Sequence, residues 1–118
     1  MCYENAKIFA VLILAALVLA VCTAAIADTQ RVLDRAKAKN IALITREQAI
    51  AIADKELAAK NIKAVLNDAD LDNEAGKYYN GSDFRPVYEL EYKAAGGLEY
   101  DIDVDAVTGE ILKFKADD

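Results

Sequence analysis

The 118-residue chain has no histidine and no tryptophan, one proline, one methionine, one serine and two cysteines. Each scarcity excludes something. Without His there is no Ser-His-Asp or Cys-His pair and no imidazole metal site. Ser82, the only serine, has no base beside it, so no catalytic residue is assigned. Cys2 and Cys22 both lie towards the N-terminus, so no disulfide framework staples the rest. Basic residues are outnumbered, 14 Lys and Arg against 20 Asp and Glu, for a net charge of −6. Nucleic-acid binding needs a basic footprint, so nucleic acid is not expected as a partner. No metal or cofactor motif is present. What remains is a small acidic module of one domain that binds rather than transforms.

The hydrophobic residues are unevenly spread. From Ile8 to Ala27 only Thr23 is polar, whereas beyond residue 27 the apolar share is about 46%, ordinary for a globular domain. Residues 1–27 have three readings. Lys7 before the run and Ala25-Ile26-Ala27 at its end fit a cleaved signal peptide. The run is also long enough for a membrane anchor. Leu19-Ala20-Val21-Cys22 resembles a lipidation site, with Val21 where a small residue is expected. Arg31, Arg35, Lys37 and Lys39 follow the run and, for a retained anchor, would favour the inverted orientation. The other readings export the domain to the periplasm, the cell surface or the medium. The membrane is then a partner only through this segment, if uncleaved.

Residues 28–40 are charged and Ala-rich, with a thin apolar stripe of Val32, Leu33 and Ala36, and read as a linker or frayed helix. The domain proper is assigned to residues 41–118. Thr45-Arg46-Glu47-Gln48 fits a capping box, with Ile44 placed to staple against Ala49. Helical spacing continues through Ala53 and Leu57, and Asn61 can take the left-handed position that ends a helix. The spacing predicts a helix over 46–60.

After it the period changes to two. Val65, Asn67, Ala69 and Leu71 alternate with Leu66, Asp68, Asp70 and Asp72, a weak first strand. Residues 73–86 carry turn signals, including Asn80-Gly81-Ser82, formally a glycosylation sequon and equally a tight turn. Tyr88, Leu90 and Tyr92, then Tyr100, Ile102 and Val104, then Leu112 and Phe114, point inward from three further runs. Opposed residues share a face, so three-residue loops, Ala95-Gly96-Gly97 and Val107-Thr108-Gly109, are required. They pair Tyr92 with Tyr100, Ile102 with Phe114 and Val104 with Leu112, with Gly97 left-handed. The fold class is α+β: one capped helix on a three- to four-stranded antiparallel sheet, preceded by a hydrophobic N-terminal helix.

Two stretches carry a family resemblance. Ile44–Leu57 (ITREQAIAIADKEL) and Val87–Phe114, above all Tyr100–Leu112 (YDIDVDAVTGEIL), resemble the PepSY domain over roughly Ile41–Phe114. The resemblance implies a module of the kind found in propeptides of thermolysin-like metalloproteases, in bacterial membrane proteins and as free exported units. It implies restraint of a peptidase as the function, a protein as the partner, and no catalytic residues. No protease sequence follows in this chain, so restraint is expected in trans.

Candidate contact residues follow from exposure and charge. Tyr78, Tyr79 and Phe84 are large rings in a loop. Glu89, Glu91, Asp101 and Asp103 form an acidic outer sheet face, suited to resisting edge association or to binding a cation, an envelope polymer or a basic partner. Asp105, Thr108 and Gly109 are assigned to the turn itself. Asp68-x-Asp70-x-Asp72 fails as a calcium loop, with Asn73 for the required Gly and Tyr79 for the terminal Glu. Residues 28–67 carry a net +3 and residues 68–118 a net −9, so the acidity belongs to the sheet and its loops.

Overall fold

Residues 23–117 are described by the structure, a computed structural model. The hydrophobic segment as far as residue 22, with the cysteines at 2 and 22, lies outside the described residues. Two helices, α1 (Thr23–Ala38) and α2 (Arg46–Ala59), precede four strands: β1 (Ala64–Asn73), β2 (Pro86–Ala94), β3 (Glu99–Asp105) and β4 (Ile111–Asp117). The strands pair in chain order as an antiparallel meander. The expected α+β class is observed.

The capping box forms as its residue types require. Thr45 Oγ1 accepts the Gln48 amide at 3.1 Å, and Gln48 Oε1 accepts the Thr45 amide at 2.8 Å. Asn61 ends α2 with φ of 57°, while the Ile62 amide bonds back to the Leu57 carbonyl at 2.9 Å. α1 ends the same way. Asn40 has φ of 55°, and the Ile41 amide bonds to the Ala36 carbonyl at 2.9 Å. Asn tolerates the left-handed conformation better than most residues, so Lys39-Asn40-Ile41 and Lys60-Asn61-Ile62 make equivalent stops.

Of the two readings of residues 28–40, linker or helix, the helix is observed. Through Ala38 these residues form the body of α1, and Val32 and Ala36 are buried in the core. Two small-to-medium apolar residues suffice because the helix packs by one narrow stripe, not a broad face.

Ala49, Ala53 and Leu57 of α2 lie over Tyr88, Leu90, Tyr92, Ile102 and Val104 of the sheet. The alanine side chains let the helix approach closely. Two tyrosines bind the layers with their polar tips. Tyr92 Oη donates to Asp54 Oδ1 and Tyr88 Oη to the Ile44 carbonyl, both at 2.8 Å.

The expected β2–β3 register is observed, with Tyr92 opposite Tyr100 and Leu90 opposite Ile102 across the Ala95–Gly97 turn. Gly96 joins Gly97 in the left-handed region. Two strands depart from strict alternation. In β4 the register shifts so that Val104 opposes Ile111 rather than Leu112, while Ile102–Phe114 holds. In β1 a shift between Leu66 and Asp68 leaves Asn67 as the extra residue, turning Leu66 inward and leaving Val65 74% exposed. An inserted residue exchanges the two faces of the strand on one side of it.

The β3–β4 turn is held by Asp105. One carboxylate oxygen accepts the Val107 and Thr108 amides at 2.8 and 2.9 Å; the other accepts Arg85 Nε at 3.0 Å. Thr108 Oγ1 accepts the Glu110 amide. Gly109 has φ of 79°, and a Cβ there would lie 3.1 Å from Ile52 Cδ1, so both conformation and space call for glycine. Burial pushes the Asp105 carboxyl up, but the Thr108 and Val107 amides and Arg85 outweigh it and hold the group below its ordinary range. Asp105→Ala leaves Arg85 and two amides without their acceptor. It should cost about 3 kcal/mol in urea unfolding at pH 7, as loss of one partner of a buried ion pair does. A change within experimental error would show that the turn holds itself.

Candidate functional site

The helices cover one face of the sheet. The other carries the charge. Glu89 opposes Asp103 and Glu91 opposes Asp101, as their alternation requires, and β1 adds Asp70 beside Glu89 and Asp68 beside Glu91. Three neighbouring strands thus present carboxylates side by side, a destabilising arrangement unless cations stand nearby. β4 supplies Lys113 opposite Asp103 and Lys115 opposite Asp101.

Asp103 is the centre of this face and is only 2% exposed. Its Oδ2 accepts Tyr78 Oη at 2.6 Å and Lys77 Nζ at 3.1 Å, with Lys113 Nζ at 3.9 Å. Tyr78 and Lys77 come from the loop between β1 and β2, which is therefore strapped across the acidic face. Arg85 closes the strap by donating to the Tyr78 carbonyl as well as to Asp105. Asn73 closes its base: its carboxamide oxygen accepts the Arg85 and Ala75 amides and its amino group donates to the Asp83 carbonyl. Burial, with the bond to Asp103, pushes the Tyr78 hydroxyl up to about 12. The bond to Asp103 raises the Lys77 ammonium above its ordinary value, so it stays charged.

The strap redistributes the three aromatic candidates. Tyr79 lies on the surface, 76% exposed. Tyr78 has its hydroxyl committed to Asp103. Phe84, expected at the surface, is instead 3% exposed, with the Arg35 guanidinium of α1 4.9 Å from its ring centre. A cation over the ring face accounts for an aromatic buried beside a charged helix. Ser82 performs turn work: its hydroxyl accepts the Phe84 amide, and its own amide donates to Asn80 Oδ1. Glu91 and Asp101 remain half-exposed on the open part of the face.

The pairing of β1 with β2 also assembles a group that alternation within a single strand does not specify. Asp72, Glu74 and Glu89 each place a carboxylate oxygen within 4.8 Å of the others. These residues could hold a hard divalent cation, which takes oxygen ligands. Without a cation a proton serves. Burial raises Glu89 to about 7, helped by a hydrogen bond to Asp72 and by the charges of Glu74 and Asp103. Arg85 and Lys77, which hold the strap, give no sequence signal beyond being basic residues in an acidic half. Among the described residues no helix is long and apolar enough to cross a membrane.

The Glu89 carboxyl releases its proton near 4.5 in the unfolded chain and near 7 in the folded protein. Between those values the folded state binds more protons, so stability falls as pH rises through the window. Glu89→Gln should remove that fall. Thermal melts should show the variant more stable than the parent at pH 8 and equal to it at pH 4. Parallel profiles would show that Glu89 is an ordinary carboxylate.

Residues 43–115 match the family model PepSY, described as peptidase propeptide and YPEB domain. The match runs from just before the capping box of α2 into β4 and leaves α1 outside. No curated protein and no solved structure matches the chain.

Proposed function

The chain belongs to the PepSY family, and from that membership we propose that it is an exported, non-enzymatic binding module that restrains a peptidase in the cell envelope. The match over residues 43–115 carries the reading, because the family's description includes peptidase propeptides and the match spans α2 with nearly the whole sheet. The geometry supports it. Tyr78, bonded to Asp103, and the buried Phe84 pin the strap, which leaves Tyr79 exposed at its surface. A rigid surface loses little conformational freedom on binding, as an inhibitor requires. We assign the contact to Tyr79, Glu91 and Asp101.

The test is a titration of the full-length protein into a thermolysin-like metallopeptidase acting on a short peptide substrate. Hydrolysis should slow saturably while the protein stays intact on a gel, and Tyr79→Ala with Glu91→Lys should weaken the effect by about tenfold. An unchanged rate at saturating protein would sink the inhibitor reading.

A second reading is favoured by one observation, the approach of Asp72, Glu74 and Glu89. In this reading the acidic face binds calcium. Calorimetry at pH 7.5 should show saturable heat that Glu89→Gln abolishes, and a flat titration of the parent protein excludes it.

A further inference from the structure

We propose that Asn80 is a site of self-modification: the Gly81 main-chain nitrogen displaces the Asn80 side-chain nitrogen as ammonia, and water then leaves aspartate or isoaspartate at the tip of the strap. This goes beyond the peptidase reading, since it needs no partner.

The reaction asks three things of an asparagine. Its side chain must be free to turn back on the main chain. The amide that follows must have no competing hydrogen bond, and the residue that follows must lack bulk. These needs separate the described asparagines. Asn40 and Asn61 are each followed by isoleucine, and the Ile41 and Ile62 amides are committed to the Ala36 and Leu57 carbonyls at 2.9 Å. Asn67 lies in β1, with its amino group donating to Glu91 Oε1 at 3.1 Å. Asn73 has both ends of its carboxamide engaged, and the amide after it, that of Glu74, donates to the Arg85 carbonyl at 2.8 Å.

Asn80 meets all three needs. It is exposed in the strap, and among the described residues neither its amino group nor the Gly81 amide donates to a protein acceptor. Gly81 has φ of 89°, and a Cβ there would meet nothing within 4 Å, so the approach to its nitrogen is open. The one bond that the side chain makes favours the reaction. Asn80 Oδ1 accepts the Ser82 amide at 3.2 Å, which folds the carboxamide back along the Asn80–Gly81 peptide. When Cγ is attacked, negative charge develops on that oxygen, and a main-chain N–H already aimed at it stabilises the charge.

The atoms balance with water as the sole co-reactant. Hydroxide takes the Gly81 amide proton, the nitrogen bonds to Asn80 Cγ, and the Cγ–Nδ2 bond breaks, with ammonia leaving on a proton from water. The product is a cyclic imide. Water that opens it at Cγ gives aspartate. Water that opens it at the main-chain carbonyl gives isoaspartate, whose main chain runs through Cβ and Cγ. Either product adds one negative charge beside Tyr79 and removes the Asn80-Gly81-Ser82 sequon. Isoaspartate also lengthens the main chain by one carbon. The tip absorbs it, because Tyr78 is tied to Asp103 and Arg85 on one side and Asp83 to Asn73 on the other. The sheet and helices stay as they are while the surface around Tyr79 changes.

The test incubates the full-length protein at pH 8 and follows it by peptide mass mapping. Asn80 should gain one mass unit in step with released ammonia, while Asn40, Asn61, Asn67 and Asn73 stay intact. A methyltransferase specific for isoaspartate should label the product. Hydroxylamine, which traps the imide, should cut the folded chain between Asn80 and Gly81. Gly81→Ala should slow the gain by about tenfold, by crowding the attacking nitrogen. That variant also disturbs the turn, so the parent protein supplies a second comparison. Asn80 should convert at about the same rate folded as in guanidinium chloride. Protection of Asn80 by folding would show that the Ser82 bond locks the side chain away from attack, and overturns the proposal. Conversion of another of these asparagines at an equal rate in the folded protein overturns it too.

Discussion

The Asp105 carboxylate holds together parts of the chain that do not otherwise meet. Two amides of its own turn and the Arg85 guanidinium converge on it, so the β3–β4 hairpin and the end of the strap share one charge. Ala106, next in the chain, is wholly buried and carries the constraint inward. Its amide donates to the Pro86 carbonyl, and its carbonyl accepts the Ile44 amide, at 2.9 and 2.8 Å. The turn thus locates the start of β2 and the residue before the α2 cap. A buried carboxylate is tolerable because three donors replace its water.

The outer face follows a different rule. There the carboxylates outnumber the cations, and the loop that crosses them supplies what the strands lack. Lys77 and Tyr78 satisfy Asp103 from above while Lys113 approaches from the side. Where the strap supplies no cation, at Asp72, Glu74 and Glu89, a retained proton limits the repulsion. The strap and the acidic face are thus parts of one electrostatic unit, and the only ring it leaves free is Tyr79.

Local chemistry was readable from the residues, and the features that depend on distant partners were not. Thr45 and Gln48 announce the cap, and Gly97 and Gly109 announce their loops, because each needs only a few neighbours. The pairing of Tyr92 with Tyr100 follows from loop length alone. The bulges at Asn67 and in β4 leave no mark on the alternation of a single strand. Alternation therefore groups Leu66 with the outward aspartates, where the bulge turns it inward, and the approach of Asp72 to Glu89 depends on the β1–β2 register, which the long connecting loop does not specify. Phe84 reads as a surface ring until Arg35, far away in sequence, covers it. α1 had a usable signal: Lys39-Asn40-Ile41 repeats the Lys60-Asn61-Ile62 stop, which marks a helix end where composition suggests a tether.

Ile44 sits at the meeting point of these constraints. Its amide is bonded to Ala106 and its carbonyl to Tyr88, so both of its main-chain groups are held by the β3–β4 turn and β2, which follow much later in the chain. The capping box immediately after it needs no such help. A chain emerging from synthesis can therefore wind the first turns of α2 at once, but has nothing to dock them on until β2 and the β3–β4 hairpin exist. Contacts of such long sequence separation close slowly. The cap is thus a local device, and the docking of α2 a non-local one that joins residue 44 to residues 88 and 106.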